Sequence, residues 1–280
     1  MITIGEIKKK IITLLNDNNI LDSQFEAISM ISFSLGINNQ KAIIENDLEI
    51  SNEENRAINK LLEKRINGYP LAYLINEKYF FNEKFFVNKN VLIPRQETEE
   101  LIEYFFSLNS KESMNNRNIL DIGTGSGVIS IICKKKYPHS NLLSIDKSQG
   151  AIEVAKKNAD IKNVFIQFFI DKIETCKIDN IDFVISNPPY LKQSILKNLQ
   201  TEVLKEPKYA LDGGVDGLKI INKIFEWEKN INKNNALQII IEIDENIKHE
   251  SKKLAESFYP NKKVQIIDDI AKKPRILSII

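Results

Sequence analysis

Histidine and cysteine are scarce in this 280-residue chain: only His139, His249, Cys133 and Cys176, all far apart. That spacing offers no zinc ligand set and no disulfide framework, so no metal is expected. It also provides no paired constellation for covalent or acid–base catalysis. Few cysteines suit a reducing compartment, and the expected location is cytoplasmic. The chain also lacks an excess of charge of either sign, with 39 Lys and Arg against 38 Asp and Glu and a net charge of +1. No overall basic field results, which disfavours a protein that lives on nucleic-acid phosphates. The run Lys134-Lys135-Lys136 falls near a predicted helix end, where cations complement the helix dipole. Nor is there a long apolar run. None approaches the roughly 20 residues of a membrane span. The first, in "MITIGEIKKKIITLLNDNN", stops at Asn16-Asp17, too soon for a signal-peptide core.

What is present is enough for an ordinary core: 42% hydrophobic and 28% charged residues. Residues 1–75 read as helices alone. Ile4, Ile7, Ile11, Leu14 and Leu15 recur at helical spacing. Ser23 with Glu26 predicts a capping box, followed by a face of Phe25, Ile28, Ile31 and Leu35 and a stop at Gly36. Ser51 with Glu54 repeats the device ahead of Ile58, Leu61, Leu62 and Ile66. Residues 76–107 read as a linker: an aromatic hairpin, "KYFFNEKFFVNKNVLI", then a helix opening near Pro94.

Residues 108–280 alternate. Strands are predicted at 118–122, 142–146, 164–169, 181–186, 237–243, 264–268 and 275–280. Helices are predicted at 127–136, 148–159, 216–231 and 245–258. Such βα units build a parallel sheet with helices on both faces, a doubly wound α/β fold whose ligand lies at the carboxyl ends of the central strands.

Two stretches carry chemistry. In "NILDIGTGSGVISII", Gly123, Gly125 and Gly127 allow a sharp turn and close approach of a ligand to the main chain. The next strand ends at Asp146, a carboxylate able to accept both hydroxyls of a ribose. The turn nearly fits a dinucleotide fingerprint, and that reading stays open here. The G-x-G-x-G spacing behind Asp121 instead resembles the S-adenosylmethionine loop of class I methyltransferases.

The second stretch, "DFVISNPPYLK", ends a buried strand with Asn187, Pro188, Pro189 and Tyr190. The prolines stiffen the turn. The Asn187 side-chain carbonyl and the Pro188 main-chain carbonyl are neighbouring acceptors, suited to an NH2 group with two hydrogens, and Tyr190 offers a flat face to the group bearing it. A conjugated NH2 is a poor nucleophile. Gripping both hydrogens orients it for in-line attack and stabilises the positive charge that develops on nitrogen.

With these residues in place, the chain resembles the release-factor glutamine methyltransferases along nearly its whole length. "GYPLAYL" (68–74), "VLIPRQETEELIE" (91–103), "LDIGTGSG", "SIDKS", "SNPPYL" and "EPKYALDGGVDGL" (206–218) carry the resemblance. It implies a seven-stranded, Rossmann-like methyltransferase sheet with a small N-terminal helical bundle and a hairpin connector. It implies S-adenosylmethionine as cofactor and the glutamine of the Gly-Gly-Gln motif of class 1 translation release factors as substrate. The N-terminal bundle would recognise the release factor. By position, Gly123, Thr124, Gly125, Ser126 and Gly127 would form the donor loop, Asp146 would hold the ribose, and Asp171 and Lys172 would lie by the adenine. Asn187 would meet donor and substrate, with Pro188, Pro189 and Tyr190 completing the amide clamp. Arg95 and Glu97 would position the crevice or simply pair at a helix start. The same tetrapeptide occurs in adenine-N6 methyltransferases, which keeps a nucleic-acid amine as the alternative target. The chain departs from the family at Lys172, where an aromatic residue is frequent, at Gln96 for proline, at Asn76 for glycine, and in the closing "LSII".

Overall fold

The computed structural model describes residues 2–232 and 236–280. The chain forms two compact units, Met1–Glu77 with Gln200–Lys205, and Lys78–Leu199 with Glu206–Ile280.

The smaller unit runs β1 (Ile2–Thr3), α1 (Ile4–Asp17), α2 (Ser23–Leu35), α3 (Asn39–Ile44), β2 (Glu49–Ile50), α4 (Asn52–Ile66) and α5 (Leu71–Leu74), with β1 and β2 antiparallel. Its core is the apolar stripe of α1 (Ile4, Ile7, Ile11 and Leu15) packed with Met30, Ile31, Ile58 and Leu62. Reciprocal capping boxes start α1 at Thr3 and Glu6 and α4 at Ser51 and Glu54. The box predicted at Ser23 and Glu26 does not form. The N-cap of α2 is Asp22, in the left-handed region at φ 56°, and makes no side-chain cap. Glu26 is buried instead against Arg65, 2.6 Å from Nε, and Arg65 reaches Glu202 with Nη1 at 2.6 Å. A charge-assisted partner displaced a local one. The predicted face of α2 is rotated too: Ala27, Met30 and Ile31 are buried, whereas Phe25 is exposed. Gly36 ends α2 at φ 63°, as expected.

The larger unit opens with the hairpin β3 (Glu77–Phe80) and β4 (Glu83–Phe86), then α6 (Gln96–Leu108). Gln96 is the first residue of α6, the position where proline is most at home. Asn76 has φ 54°, a conformation glycine adopts freely and asparagine tolerates. Phe80 and Phe85 are buried in the main core with Leu101, Ile102 and Phe105, so the hairpin packs on this unit.

There follow β5 (Asn118–Ile122), α7 (Val128–Lys136), β6 (Asn141–Asp146), α8 (Gln149–Ile161), β7 (Gln167–Ile170), β8 (Phe183–Ser186), α9 (Lys219–Asn230), β9 (Gln238–Glu242), α10 (Lys248–Phe258), β10 (Val264–Asp268) and β11 (Pro274–Ile279). They form one seven-stranded sheet in the order β10-β11-β9-β8-β5-β6-β7. Its central strands are buried on both faces, which is why they read as continuous apolar runs. Ile119, Phe183 and Ile185 face one core cluster, and Leu120, Ile122 and Val184 the other. Strands β5 to β9 are parallel, whereas β11 runs antiparallel to both β9 and β10. Only residues 269–273 join β10 to β11, far too few for a parallel crossover. Among the described residues, no helix is long and apolar enough to cross a membrane.

Candidate active site

The sheet order reverses between β5 and β8: the chain builds β6 and β7 outward on one side, then returns to lay β8 and β9 on the other. The crevice beyond the carboxyl ends of such a pair is where doubly wound folds bind ligands. β5 delivers the glycine turn there and β8 delivers Asn187. A cavity of about 390 Å³ opens between them.

The glycine turn is held from below by Asp121. This carboxylate is fully buried and accepts hydrogen bonds from Thr124 Oγ1 (2.7 Å) and Ser130 Oγ. Burial pushes its pKa up to about 6, against the pull of those hydroxyls. Gly123 and Gly125 have φ 73° and 55°, and a Cβ built on Gly123 would meet nothing within 4 Å, so the turn leaves open space before its main chain. Gly127 serves differently. At φ 82° it begins α7, and a Cβ there would stand 3.1 Å from Ala155 Cβ on α8. It is a packing glycine, and it does not line the cavity, whereas Gly123, Thr124, Gly125 and Ser126 do.

Asp146 ends β6 on the cavity wall. Its Oδ2 accepts from Gly125 N (3.0 Å) and its Oδ1 from Ser148 N (2.9 Å). Each oxygen keeps a second lone-pair direction for a ligand hydroxyl. Burial raises this carboxyl above the usual range. Asp171 and Lys172 line the same cavity. An open turn, a carboxylate with spare acceptor capacity and a drug-sized cavity fit an adenosine-containing donor.

On the opposite side, Asn187 and Pro189 line the cavity, while Pro188 is buried behind them. Asn187 Nδ2 donates to Thr98 Oγ1 (2.9 Å), and the Thr98 hydroxyl donates to Glu242 Oε2 (2.7 Å). With its NH2 so engaged, Asn187 keeps Oδ1, which accepts no hydrogen bond among the described residues. Tyr190 does not line the cavity. Its hydroxyl donates to Glu242 Oε1 (3.0 Å) and its ring packs against the core. Burial, with the Glu242 charge beside it, raises the Tyr190 hydroxyl well above its ordinary value. Glu242 is fully buried, and burial pushes it up to about 7, opposed by its bonds from Thr98 and Tyr190 and by Arg275.

Behind this loop lies the segment around residues 206–218. Leu191 N donates to Leu211 O (3.1 Å) and Gly213 N to Leu191 O (2.9 Å). A Cβ on Gly213 would stand 2.6 Å from the Tyr190 carbonyl carbon, so only hydrogen fits. Glu206 accepts from Ile93 N (3.0 Å) and pairs with Arg95, which is therefore no local helix-start pair: the two lie 111 residues apart. Glu97 acts at the Glu242 carboxylate, where its charge opposes ionisation.

Sequence reading missed Thr98, Glu242 and Tyr209. Tyr209 lines the cavity, its hydroxyl 2.7 Å from Asn90 O and 3.0 Å from Ser148 Oγ. Glu242 did leave a trace: a carboxylate closing the strand "QIIIE" at its carboxyl end, where ligand sites lie.

Residues 101–242 match the Methyltransferase small domain family, and residues 6–75 match the PrmC N-terminal domain. The catalytic domain hMettl16, in complex with MAT2A 3'UTR hairpin 6, has a TM-score of 0.54 at 16% identity, over 70% of this chain and 74% of that one. A T. thermophilus 16S rRNA methyltransferase in complex with AdoMet and guanosine has a TM-score of 0.52 at 10% identity, over 72% of this chain and 49% of that one. At such identities the likeness is one of fold. The release factor glutamine methyltransferase of Dictyoglomus turgidum is 35% identical over 260 residues, 91% of this chain and 90% of its own length. That of Bacillus cereus is 32% identical over 234 residues, 82% of each chain. With similarity of this degree running through most of its length, the chain belongs to the release factor glutamine methyltransferase family.

Proposed function

We propose that the protein transfers a methyl group from S-adenosylmethionine to the side-chain amide nitrogen of the glutamine in the Gly-Gly-Gln motif of class 1 translation release factors. The observation that carries this reading is the orientation of Asn187. Its NH2 is committed to Thr98, so the atom left for a substrate is a carbonyl oxygen, an acceptor for an incoming NH2. Pro188 would supply the second acceptor through its main-chain carbonyl, and the close approach of Gly213 to Pro189 and Tyr190 fixes the backbone just beyond it.

Bound in the cavity, S-adenosylmethionine supplies a methyl carbon on a positively charged sulfur. Gly123, Thr124, Gly125 and Ser126 would cradle it with main chain, Asp146 would accept from its ribose hydroxyls, and Asp171 and Lys172 would border the adenine. Asn187 and Pro188 hold the glutamine NH2 by its two hydrogens, with the nitrogen lone pair aimed along the breaking bond. Attack by that nitrogen would transfer the methyl, leaving the carbon–sulfur electron pair on sulfur and positive charge growing on nitrogen. The two acceptor oxygens face that charge and stabilise it. The product nitrogen then sheds one proton to solvent, so no strong base is needed beforehand.

The smaller unit would recognise the release factor, as its match to the PrmC N-terminal domain supports. It exposes Leu21, Phe25, Phe33 and Ile44, apolar side chains suited to a protein partner. The reaction belongs in the cytoplasm, where translation termination occurs. Incubation with labelled donor and a release factor, beside its Gln→Ala variant, tests the reading. Label on the natural factor alone is expected, and equal labelling of both overturns it. Label passing to RNA instead, and lost steeply with added salt, would transfer the assignment to a nucleic-acid amine.

A further inference from the structure

We infer that Glu242 is a positioning residue for methyl transfer, acting through Thr98 to set which way round the Asn187 amide stands. This rests on the acceptor role proposed above for Asn187.

An asparagine amide presents either an oxygen or an NH2 on a given side, and the two ends have nearly the same shape. A neighbouring hydroxyl does not decide between them, because it can donate or accept. Thr98 faces Asn187 with just such a hydroxyl. The decision comes one step further on. An ionised Glu242 can only accept, so the single Thr98 hydrogen then goes to Glu242 Oε2, 2.7 Å away. Thr98 Oγ1 is then left as an acceptor toward Asn187, and it takes Nδ2 at 2.9 Å. The polarity runs one way along the chain and delivers Oδ1 to the cavity. A protonated Glu242 could donate to Thr98, freeing its hydrogen for Asn187 Oδ1 and turning an NH2 toward the substrate.

The same carboxylate holds the other end of the tetrapeptide, since its second oxygen accepts from Tyr190 (3.0 Å). One buried group thus ties both ends of the Asn187–Tyr190 turn. The aligned bonds also polarise one another. Electron density drawn toward Asn187 Oδ1 strengthens its hold on a nitrogen that is becoming positive, so the effect belongs to the transition state. Around Glu242, Arg275 from β11 favours the ionised form, while Glu97 from α6 opposes it. Asp244, just past β9, acts on Tyr190. Burial favours the neutral form most strongly, so the two forms should exchange close to neutrality, at about 7.

The test uses the full chain with Glu242→Gln, Thr98→Val and Thr98→Ser. The first readout needs no turnover: the side-chain 1H–15N signal of Asn187, identified by its loss in Asn187→Asp. In the wild type it should move as pH passes through neutrality. It should lose that movement in Glu242→Gln, shift in Thr98→Val, and return in Thr98→Ser. The second readout is kinetic. Loss of a charge-assisted link should lower kcat by about tenfold or more in Glu242→Gln and Thr98→Val, leave donor Kd within about twofold, and be rescued by Thr98→Ser. An Asn187 signal that ignores both substitutions overturns the inference. So does a Thr98→Val enzyme with full kcat, a donor affinity that falls in step with kcat, or a Thr98→Ser enzyme as impaired as Thr98→Val. If the wild type labels no release factor, the proposed function fails while the Asn187 signal still decides the role of Glu242.

Discussion

On one side of the cavity the wall is mainly main chain. Gly123 and Gly125 lie bare before it, Asp121 braces the turn from beneath, and Asp146 stands one strand away. On the other side the wall is made of side chains that meet only in the folded protein. Thr98 comes from α6 and Asn187 from the loop after β8, and buried behind them stands Glu242 from the end of β9, 144 residues from Thr98. The first wall offers shape and a few fixed donors and acceptors, which suits a cofactor held in one pose. The second offers a direction, set by the order of donors and acceptors along a short chain. Damage to the first should cost affinity, and damage to the second should cost rate.

The sharpest way to break that division is Asn187→Ala. Removing the acceptor proposed to act on developing charge should lower kcat by about 10²–10³-fold, with donor Kd changed by less than about threefold. Isothermal titration beside steady-state kinetics checks it. A fall in donor affinity with turnover intact would place Asn187 on the other wall. Next comes stability against pH. Burial raises Glu242 to about 7 from 4.5 and Asp121 to about 6 from 3.8, so the folded chain holds these protons more tightly than the unfolded one. Their stabilising protonation is complete below the unfolded values and is lost as pH rises through the folded ones. For Glu242 alone that amounts to about 3 kcal/mol. Carboxylates held low by partners, such as Glu83 with Lys135 and Lys162, act oppositely, but only as pH falls below their ordinary range. The urea midpoint should therefore rise on going from pH 8 to about 5.5, and Glu242→Gln should flatten much of that rise. A wild-type midpoint that falls over this interval would mean that Glu242 is not a strained buried charge. Rate and stability then pull apart around Glu242, since the ionised form that orients Asn187 is the costlier one to fold.

The contrast between the walls also explains what could be read from sequence. The sheet was legible because β5, β8 and β9 are apolar on both faces, and the glycine turn because its residues are contiguous. α2 shows the limit of local patterns. Ser23 and Glu26 have the spacing of a capping box, yet Arg65, 39 residues further on, takes Glu26 into the interior. Thr98 is the third residue of α6 and Glu242 closes a strand, positions where such residues usually meet water. Nothing adjacent in sequence marks them as partners. Asn187 and its prolines were visible as an unusual end to a strand, but the orientation of its amide depends on residues 89 and 55 positions away, the second reached only through the first.

The wall assigned to the donor makes the milder predictions. Asp146→Ala removes a carboxylate that also organises Gly125 and Ser148, and loss of charge-assisted bonds of this kind costs about 2 kcal/mol, or roughly thirtyfold in donor Kd. At saturating donor, kcat should stay within about threefold of wild type, because the proposed amide clamp is untouched. A large fall in kcat at saturation would show that the two walls are coupled.

Lys172 gives the smallest effect and the finest test of where the adenine lies. Its flexible side chain lines the cavity beside Ile173, at a position where an aromatic ring could stack on a base. If the adenine occupies that part of the cavity, Lys172→Tyr should add a stacking contact worth about 1 kcal/mol and tighten donor Kd by about fivefold. Turnover should not change, since the new ring would meet the end of the donor remote from the transferred methyl group. S-adenosylhomocysteine should tighten by the same factor, because it carries the same adenine and lacks only the methyl and its charge. A gain for the donor without the product would implicate the sulfonium rather than the base. No gain for either would move the adenine away from Lys172, toward the Asn90 and Tyr209 edge of the cavity.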